Sequence, residues 1–357
     1  MQNYPTGIAI VYCEGAYNTT NGKTAHGLVR FTKRYDVRCV IDSRYAGKDS
    51  GLVLDGKENG IPIIAALKDA VKYIRENGEE PTHFVVGLAP DGGRLSEEAE
   101  KDVRKALRLG LNVDSGLHDF LTEKRKMREL AAKHNVVIRD IRKPIHRDDL
   151  HFFEGKIEKV DCLKVALLGT DSAIGKRTTA WILVQALQDA GYKAQLIGTG
   201  QTAWLQGAAY SIIMDTLVND FVAGEIEHAV YSAWENEKPE VIVIEGQGSL
   251  MNPAYPGGFE ILAAGRPDVV VLQHAPARKE YDGFPGYPLH PLPKQIEAIE
   301  LISGKKVVAV TINHENISDD KIADVCAAVE KEVNLPAFDV LKTGGDELAK
   351  IILKYKK

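Results

Sequence analysis

The feature of this sequence that most restricts its fold is a regular alternation between two kinds of segment. Short apolar runs alternate along the chain with longer, charged stretches in which apolar residues recur at helical spacing. This alternation is typical of repeated βα units and predicts an α/β fold with mostly parallel, doubly wound sheets. The predicted strands are Ile8–Cys13, Val37–Ile41, Ile61–Ile64, Phe84–Leu88, Asn112–Ser115, Val136–Ile138, Leu163–Leu168, Ala194–Ile197, Val241–Ile244, Val269–Leu272 and Val307–Thr311.

The alternation is interrupted near the middle of the chain. Between Arg142 and Lys159, a proline, paired charges and a glycine replace the apolar periodicity, which is typical of a linker. A chain of 357 residues also exceeds the usual size of one domain. We therefore predict two doubly wound, three-layer domains, the first over residues 1–150 and the second over residues 151–357.

Composition argues against several classes of protein. The net charge of −5 supplies no cationic field for a phosphate backbone, so a nucleic-acid partner is not expected. The four cysteines include no C-x-x-C pair, which argues against a disulfide framework or a zinc knuckle. No apolar run approaches the ~20 residues of a membrane span, and no signal peptide is recognisable. We expect a soluble, cytoplasmic protein with no membrane partner.

The strongest chemical signal is a glycine-rich segment that joins the predicted strand Leu163–Leu168 to a helix. It reads Gly-Thr-Asp-Ser-Ala-Ile-Gly-Lys-Arg-Thr. Its glycines allow the backbone to curl, so that successive N–H groups and the helix N-terminus point at a bound phosphate. The segment predicts a P-loop NTPase-like second domain. The predicted cofactor-binding residues are Gly169, Thr170, Asp171, Ser172, Gly175, Lys176, Arg177 and Thr178.

This loop departs from the usual P-loop in two ways. Five residues separate its glycines, whereas the usual motif has four, and Arg177 stands where a Ser or Thr would hold Mg²⁺. The spacing resembles the dethiobiotin-synthetase branch of P-loop proteins. That resemblance implies ATP and Mg²⁺ as cofactors, with Asp171 and the strand-end Glu245 as metal ligands and Asn313 near the nucleotide base. From its position alone, Glu245 could be a metal ligand, a general base or the cap of a turn.

The first half offers weaker candidates at strand ends. Gly15 and Gly22-Lys23-Thr24 imitate a P-loop, but the gap between the glycines is too long for the usual phosphate cradle. Arg30, His118 and Arg142 could line a substrate or anion crevice, although His118 could equally be a polar residue at a helix start. The G-x-G-x-x-G dinucleotide fingerprint is absent from the sequence.

From end to end, the chain resembles one family, which joins a Rossmann-like N-terminal domain to a deviant P-loop domain. Its characterised members are D-glutamate N-acetyltransferases of the DgcN type. The resemblance implies acetyl-CoA as the cofactor, an acidic amino acid, with D-glutamate expected, as the substrate, and an enolase-superfamily racemase as a pathway partner. The segments that carry it are Gly22–Arg30, Ser115–His118, Asp140–Pro144, Gly169–Thr178, Asp215, Asp220–Gly224 and Glu245–Gly248.

If this activity carries over, the P-loop would hold the phosphates of acetyl-CoA, and Arg177 would supply the positive charge that a metal supplies elsewhere. Acyl transfer to an amine also needs a base. The candidates are Glu245 and either Asp215 or Asp220, which we predict to lie on one helix. Segments that border the P-loop edge supply the candidate substrate contacts Gln201, Tyr287 and His290, the last two in the proline-rich loop 275–293, a predicted lid or binding loop.

Two other functions stay open. An ATP- and Mg²⁺-dependent ligase or kinase of the dethiobiotin-synthetase type would use Asp171, Glu245 and Lys176 to hold the nucleotide. A protein that binds CoA or a nucleotide without catalysis, and thereby changes its affinity for a partner protein, would show tight binding and no turnover. We expect the protein to form a homo-oligomer.

Overall fold

The computed structural model describes residues 6–356 and has two compact units, each built on one parallel sheet. The first unit extends to Pro144 and also includes Gln201–Ala208, and the second contains Ile145–Gly200 and the chain from Ala209 onward. Helices alternate with parallel strands throughout both units, which confirms the predicted α/β class. Within the described residues, every helix is too short or too polar to span a bilayer.

The first sheet has the strand order 3-2-1-4-5-6 of Rossmann-like folds. All of its neighbouring strands pair in parallel. Every predicted strand of this half overlaps an observed one. The elements are β1 (Gly7–Tyr12), α1 (Lys23–Arg30), β2 (Tyr35–Ile41), α2 (Ser50–Asp55), β3 (Ile63–Ile64), α3 (Leu67–Glu76), β4 (His83–Val86), α4 (Glu97–Arg108), β5 (Asn112–Ser115), α5 (Arg125–Lys133) and β6 (Ile138–Asp140).

The second half begins with β7 (Leu163–Gly169), which is buried along its whole length and lies near the centre of its sheet. Apolar side chains on both faces of such a strand suit a parallel sheet covered by helices. The remaining elements are α6 (Lys176–Asp189), β8 (Ala194–Gly198), α7 (Gln201–Leu205), β9 (Tyr210–Ser211), α8 (Asn219–Glu237), β10 (Val241–Glu245), α9 (Gly258–Gly265), β11 (Val269–His274), α10 (Leu292–Ser303), β12 (Val307–Ile312), α11 (Ile322–Val333), β13 (Ala337–Phe338), α12 (Val340–Thr343) and α13 (Asp346–Leu353).

The order of the second sheet is β13-β12-β11-β7-β10-β8-β9. The five longer strands match the predicted segments, whereas β9 and β13, of two residues each, give no periodic signal. Strands β10 and β11 flank β7 on its two sides. In open parallel sheets, ligands bind at the carboxyl ends of strands where the strand order reverses. The loop that leaves β7 is therefore in the usual position for a ligand site.

Residues 201–208 correct the predicted domain boundaries, because the sequence order places them in the second domain and the structure places them in the first unit. The amide nitrogen of Gln206 donates to the carbonyls of Gly27 and Phe31, both at 2.8 Å. The guanidinium of Arg34 lies 3.9 Å from the ring centroid of Trp204. These contacts satisfy carbonyls at the end of α1 and cover one face of the half-buried indole, which attaches this segment to the first unit.

The segment between β11 and α10, predicted as a long loop without regular structure, contains a closed hairpin. Glu280 and Pro288 form an antiparallel bridge, and the backbone N–H of Leu289 donates to the carbonyl of Lys279 at 2.8 Å. We call residues 278–290 the 278–290 hairpin. Its backbone hydrogen bonds give this segment a fixed shape without a helix or a long strand.

Candidate functional site

The chain between β7 and α6 folds into a tight turn at the N-terminus of α6, and we call residues 169–178 the phosphate loop. Gly175 has a φ of +98°, which favours glycine, and it is the N-cap of α6. A β-carbon on Gly169 would lie 2.7 Å from Cδ of Lys176, so a larger residue would displace the lysine. Exposed N–H groups at such a helix N-terminus are suited to an anion.

Lys176 is buried at the centre of the phosphate loop, with 7% of its surface exposed. Its ammonium donates to the carbonyl oxygens of Asp171 at 2.5 Å and Gly248 at 2.9 Å. Burial lowers the pKa of Lys176 to about 8, although the negative charges of Asp171 and Glu245 oppose this shift. The ammonium is thus held beside the loop before a ligand binds, and a bound anion would favour its charged form.

Asp171 is fully buried, and each of its carboxylate oxygens accepts two hydrogen bonds. Oδ1 accepts from the backbone N–H of Ser172 at 2.7 Å and the side-chain amide of Asn252 at 3.0 Å. Oδ2 accepts from the guanidinium of Arg278 and the backbone N–H of Asp282, both at 2.8 Å. We call these five residues the Asp171 cluster. A carboxylate saturated by protein donors and paired with a guanidinium does not fit the predicted role of a Mg²⁺ ligand.

Arg278 joins three separate segments. Besides Asp171, its guanidinium donates to the carbonyl of Ser172 and to the carboxylate of Glu315, each at 2.8 Å. The 278–290 hairpin is therefore attached at its base to the phosphate loop and to the segment after β12. Asn252 attaches the chain after β10 to the same carboxylate. The Asp171 cluster holds the loops around the phosphate loop together.

Glu245 ends β10 and is 4% exposed. Its Oε2 accepts from the backbone N–H of Thr199 at 2.9 Å. Burial raises the pKa of Glu245 above its usual value, while the positive charges of Arg177 and Lys176 and the hydrogen bonds from Thr199 act in the opposite direction. Arg177 and Thr178, both half-buried, occupy the first turn of α6. Among residues 6–356, no group of three or more His, Cys, Asp or Glu side chains could hold a metal ion.

Asn313 follows β12 and lies against the phosphate loop. Its amide nitrogen donates to the carbonyl of Ile174 at 2.9 Å, and its amide oxygen accepts from the backbone N–H of Glu315 at 2.8 Å. The amide nitrogen is 3.8 Å from the position that a β-carbon on Gly175 would occupy. These bonds fix the orientation of Asn313 at one edge of the loop; its contact with a nucleotide base stays a prediction.

Comparison with known proteins agrees with this architecture. A family model described as "Domain of unknown function (DUF1611_C) P-loop domain" matches residues 151–349, and its companion, the DUF1611_N Rossmann-like domain, matches residues 43–144. The chain belongs to the DUF1611 family. The family and the two-domain fold predicted from the sequence are thereby confirmed.

Relatives of this DUF1611 protein include two curated enzymes and one solved structure. A D-glutamate N-acetyltransferase of Tritonibacter scottomollicae is 30% identical over 272 residues, and one of a Pseudoalteromonas species is 31% identical over 275 residues. Each alignment covers 74% of this chain and 79% of the relative. The crystal structure of a DUF1611 family protein from Anabaena variabilis superposes with a TM-score of 0.88 at 27% identity, covering 98% of this chain and 99% of that one.

In this DUF1611 protein, His274 is a neighbour of the phosphate loop that sequence reasoning missed. It ends β11, and its Nδ1 lies 3.0 Å from the hydroxyl oxygen of Thr170. Burial lowers the pKa of His274 to about 4. The imidazole is therefore neutral at physiological pH. A histidine after an apolar strand was visible in the sequence, but no local pattern indicated its partner.

The pKa of His274 predicts a pH dependence of stability. The unfolded chain takes up a proton near pH 6.5, whereas the folded protein resists protonation until about pH 4. Stability is therefore present above pH 6.5 and is lost as the pH falls toward 4, by up to about 3 kcal/mol. Urea unfolding of wild type and His274→Gln at pH 7 and pH 4.5 measures this loss. The variant should lose less stability than wild type, and equal losses would contradict this assignment.

The predicted acids Asp215 and Asp220 do not lie on one helix. Asp215 is in a single 3₁₀ turn, Met214–Thr216, and Asp220 is in the first turn of α8. Val218 between them is extended, with φ −66° and ψ 131°, and this breaks the helix that the sequence predicted. Both aspartates are exposed. Their carboxylates are thus accessible to a substrate, whereas Glu245 is not.

Three predicted substrate contacts belong to the first unit. Arg30 forms a two-point ion pair with Asp55, at 2.9 and 2.5 Å, so its guanidinium already has an anionic partner. His118 is exposed in the turn after β5. Gln201 is assigned to the first unit, where its Cγ lies 2.7 Å from the position of a β-carbon on Gly116, and its contact with a substrate stays a prediction.

The remaining two candidates lie in the 278–290 hairpin. Tyr287 is 55% exposed near its tip. Nδ1 of His290 lies 2.9 Å from the hydroxyl of Tyr281, and the His290 carbonyl accepts from the amide of Gln295 at 2.9 Å. Both side chains lie in the second unit, as the phosphate loop does, and the base of their hairpin is bonded to Asp171 through Arg278. Their contact with a substrate stays a prediction.

Proposed function

We propose that this protein is an N-acetyltransferase that moves an acetyl group from acetyl-CoA to the amine of an acidic amino acid, D-glutamate being the expected acceptor. The phosphate loop binds the phosphates of the coenzyme. The observation that carries this proposal is the Asp171 cluster, in which Arg278 pairs with the carboxylate that would otherwise hold a metal. The names of the curated relatives support the acetyl transfer and its acceptor.

The reaction needs two proton transfers and one exchange of bonds. A base removes a proton from the ammonium group of the amino acid, and the free amine attacks the thioester carbonyl carbon. The new C–N bond forms as the C–S bond breaks, and the nitrogen loses its second proton as the departing thiolate of CoA takes one up, so the products are the amide and the free thiol. Lys176, Arg177 and the N–H groups of the phosphate loop neutralise the coenzyme phosphates, which fixes the acetyl donor in place.

The position of Glu245 favours a role at the phosphates over a role as base. In CoA, a long pantetheine arm separates the diphosphate from the thioester. A carboxylate buried beside Lys176 and Arg177 therefore faces the phosphate end of an extended coenzyme. We assign Glu245 to the orientation of these two cations. The exposed Asp215 and Asp220 are then the candidates for the base.

The ligase or kinase alternative requires Mg-ATP, and its proposed metal ligands do not fit. Asp171 has four protein donors, one of them the guanidinium of Arg278, and Arg177 replaces the hydroxyl that would complete the metal site. A guanidinium supplies a permanent positive charge and directed donors to phosphate without a metal. These residues favour a ligand that brings no Mg²⁺ with it.

The test is a calorimetric comparison of acetyl-CoA, CoA, Mg-ATP and NAD, followed by mass spectrometry of D- and L-glutamate incubated with protein and acetyl-CoA. We expect CoA and acetyl-CoA to bind equally well with Mg²⁺ or EDTA, and N-acetylglutamate to form from one enantiomer. Consumption of ATP without a requirement for acetyl-CoA would instead establish the ligase or kinase. Tight binding with no product from glutamate or any other amino acid of either hand would favour the non-catalytic protein that binds CoA or a nucleotide.

A further inference from the structure

Gln273 is a buried polar residue next to the phosphate loop that the proposed mechanism does not use. It lies in β11, in register with Gly169 of β7 on one side and Thr311 of β12 on the other. Its backbone carbonyl accepts from the N–H of Thr170 at 2.9 Å. Only 2% of its surface is exposed. A buried amide at the carboxyl edge of the sheet needs partners for both of its ends.

Two hydroxyl groups fix the orientation of this amide. Oε1 of Gln273 accepts from the hydroxyls of Thr179 and Thr311, each at 2.6 Å. That distance suits an O–H donor on an oxygen acceptor, whereas an amide nitrogen would keep its partner at about 2.9 Å. The oxygen therefore faces the two threonines and the nitrogen faces away from them.

The nitrogen of this amide faces the phosphate loop. It lies 3.9 Å from the position that a β-carbon on Gly175 would occupy. The amide nitrogen of Asn313 lies 3.8 Å from the same position. Gly175 is the N-cap of α6 and has a positive φ, so a side chain here would be strained. Two oriented amide donors thus flank the turn whose own N–H groups are suited to an anion.

We propose that Gln273 is a ligand-binding residue of the phosphate loop, whose amide nitrogen donates a hydrogen bond to a phosphate oxygen of the ligand at Gly175. This inference rests on the proposed function for the CoA phosphates, and it applies equally to a nucleotide diphosphate. Thr179 and Thr311 act as positioning residues, because they hold the donor in its binding orientation before the ligand arrives. Such preorganisation removes the cost of orienting the amide on binding.

The variant Gln273→Glu tests this hydrogen bond with almost no change of volume. The carboxylate still accepts from both threonine hydroxyls, but it replaces the donor with an anionic oxygen that faces the phosphates. At pH 7.5 we expect the Kd for CoA to rise about 10–100-fold, as for a lost hydrogen bond to a charged group. As the pH falls toward 5.5, a protonated carboxyl regains an O–H donor, so the ratio of variant Kd to wild-type Kd should decrease.

Three further variants separate this role from general effects. Thr311→Ser keeps the hydroxyl and should bind CoA as wild type does. Thr311→Val removes one of the two bonds that orient the amide and should raise the Kd about 3–10-fold. Gln188→Glu makes the same chemical change on α6, where the amide donates to the carbonyl of Ala194 at 2.9 Å. Its Kd for CoA should change less than about twofold, because a partly exposed charge on a distant turn is screened.

Calorimetry with CoA and with ADP, accompanied by circular dichroism to verify folding, gives distinct outcomes. If wild type binds ADP but not CoA, the proposed function is wrong, and the Gln273 series is measured with ADP. Wild-type affinity in Gln273→Glu at every pH would overturn the inference, as would wild-type affinity in Thr311→Val if Gln273→Glu does not fold. If wild type binds neither ligand, the assignment of Gln273 as a ligand-binding residue is also overturned.

Discussion

Replacing Lys176 with methionine is expected to raise the Kd for CoA by about 10–100-fold, the effect of losing a charged hydrogen bond to phosphate. The variant should still fold with a modest loss of stability, because removing a desolvated ammonium is favourable but leaves the carbonyls of Asp171 and Gly248 without their donor. The ammonium already lies between the carbonyls of Asp171 and Gly248. Calorimetric titration and thermal unfolding of the two proteins measure both effects.

The pKa of Lys176 gives this prediction a second readout. Since burial lowers that pKa to about 8, an increasing fraction of the free protein has a neutral lysine above pH 8. A bound phosphate favours the charged form, so binding takes up protons in this range. The affinity of wild type for CoA should fall as the pH rises from 8 to 9. The affinity of Lys176→Met should not show this decrease.

Lys164→Met is the matched control. Lys164 is 7% exposed, as Lys176 is, but it lies at the amino end of β7. Its ammonium donates to the carbonyl of Val160 at 3.2 Å and pairs with Asp268 at 3.2 Å. Its replacement should leave CoA affinity unchanged. Equal losses in the two variants, or none in Lys176→Met, would exclude the phosphate loop as the coenzyme site.

The features that sequence reasoning predicted correctly are local in the chain. Strand positions follow from short apolar runs, and the turn before α6 follows from Gly169 and Gly175, whose backbone requirements are visible in the sequence itself. The position of Lys176 at the start of α6 follows from the same segment. Each of these signals depends on a few consecutive residues and the usual geometry of a strand followed by a helix.

The features that it missed depend on contacts between distant segments. Arg278 reaches Asp171 across more than a hundred residues, and no periodicity or motif links the two. Hydrogen bonds from Gln206 to carbonyls at the end of α1 attach residues 201–208 to the first unit, although those residues come soon after β8 in the chain. A single sequence gives the order of elements but not these long-range partners, so it does not reveal that Asp171 is paired with Arg278.

Replacing Asp171 with asparagine should destabilise the second unit by about 3–5 kcal/mol, as expected when one partner of a buried ion pair is removed. In either orientation of the new amide, its NH₂ group, which can only donate, faces two hydrogen-bond donors. These are the N–H of Ser172 and the amide of Asn252 in one orientation, and the guanidinium of Arg278 and the N–H of Asp282 in the other. Because Arg278 keeps Glu315 as an ion-pair partner, we expect the loss of unfolding free energy to lie near the lower end of this range. Urea unfolding followed by hydrogen exchange measures the loss and locates it.

Asp282→Asn is the control within the same cluster. Asp282 contacts Asp171 through its backbone N–H, and its own side chain is exposed, so the same chemical change should alter stability by less than about 0.5 kcal/mol.

The effect of Mg²⁺ on the melting temperature distinguishes the two possible roles of Asp171, a metal ligand and an ion-paired carboxylate. A metal ligand predicts that Mg²⁺ raises the melting temperature of wild type but not of Asp171→Asn. An ion-paired carboxylate predicts no effect of Mg²⁺ on either protein, because the guanidinium of Arg278 already neutralises the charge that would attract the metal.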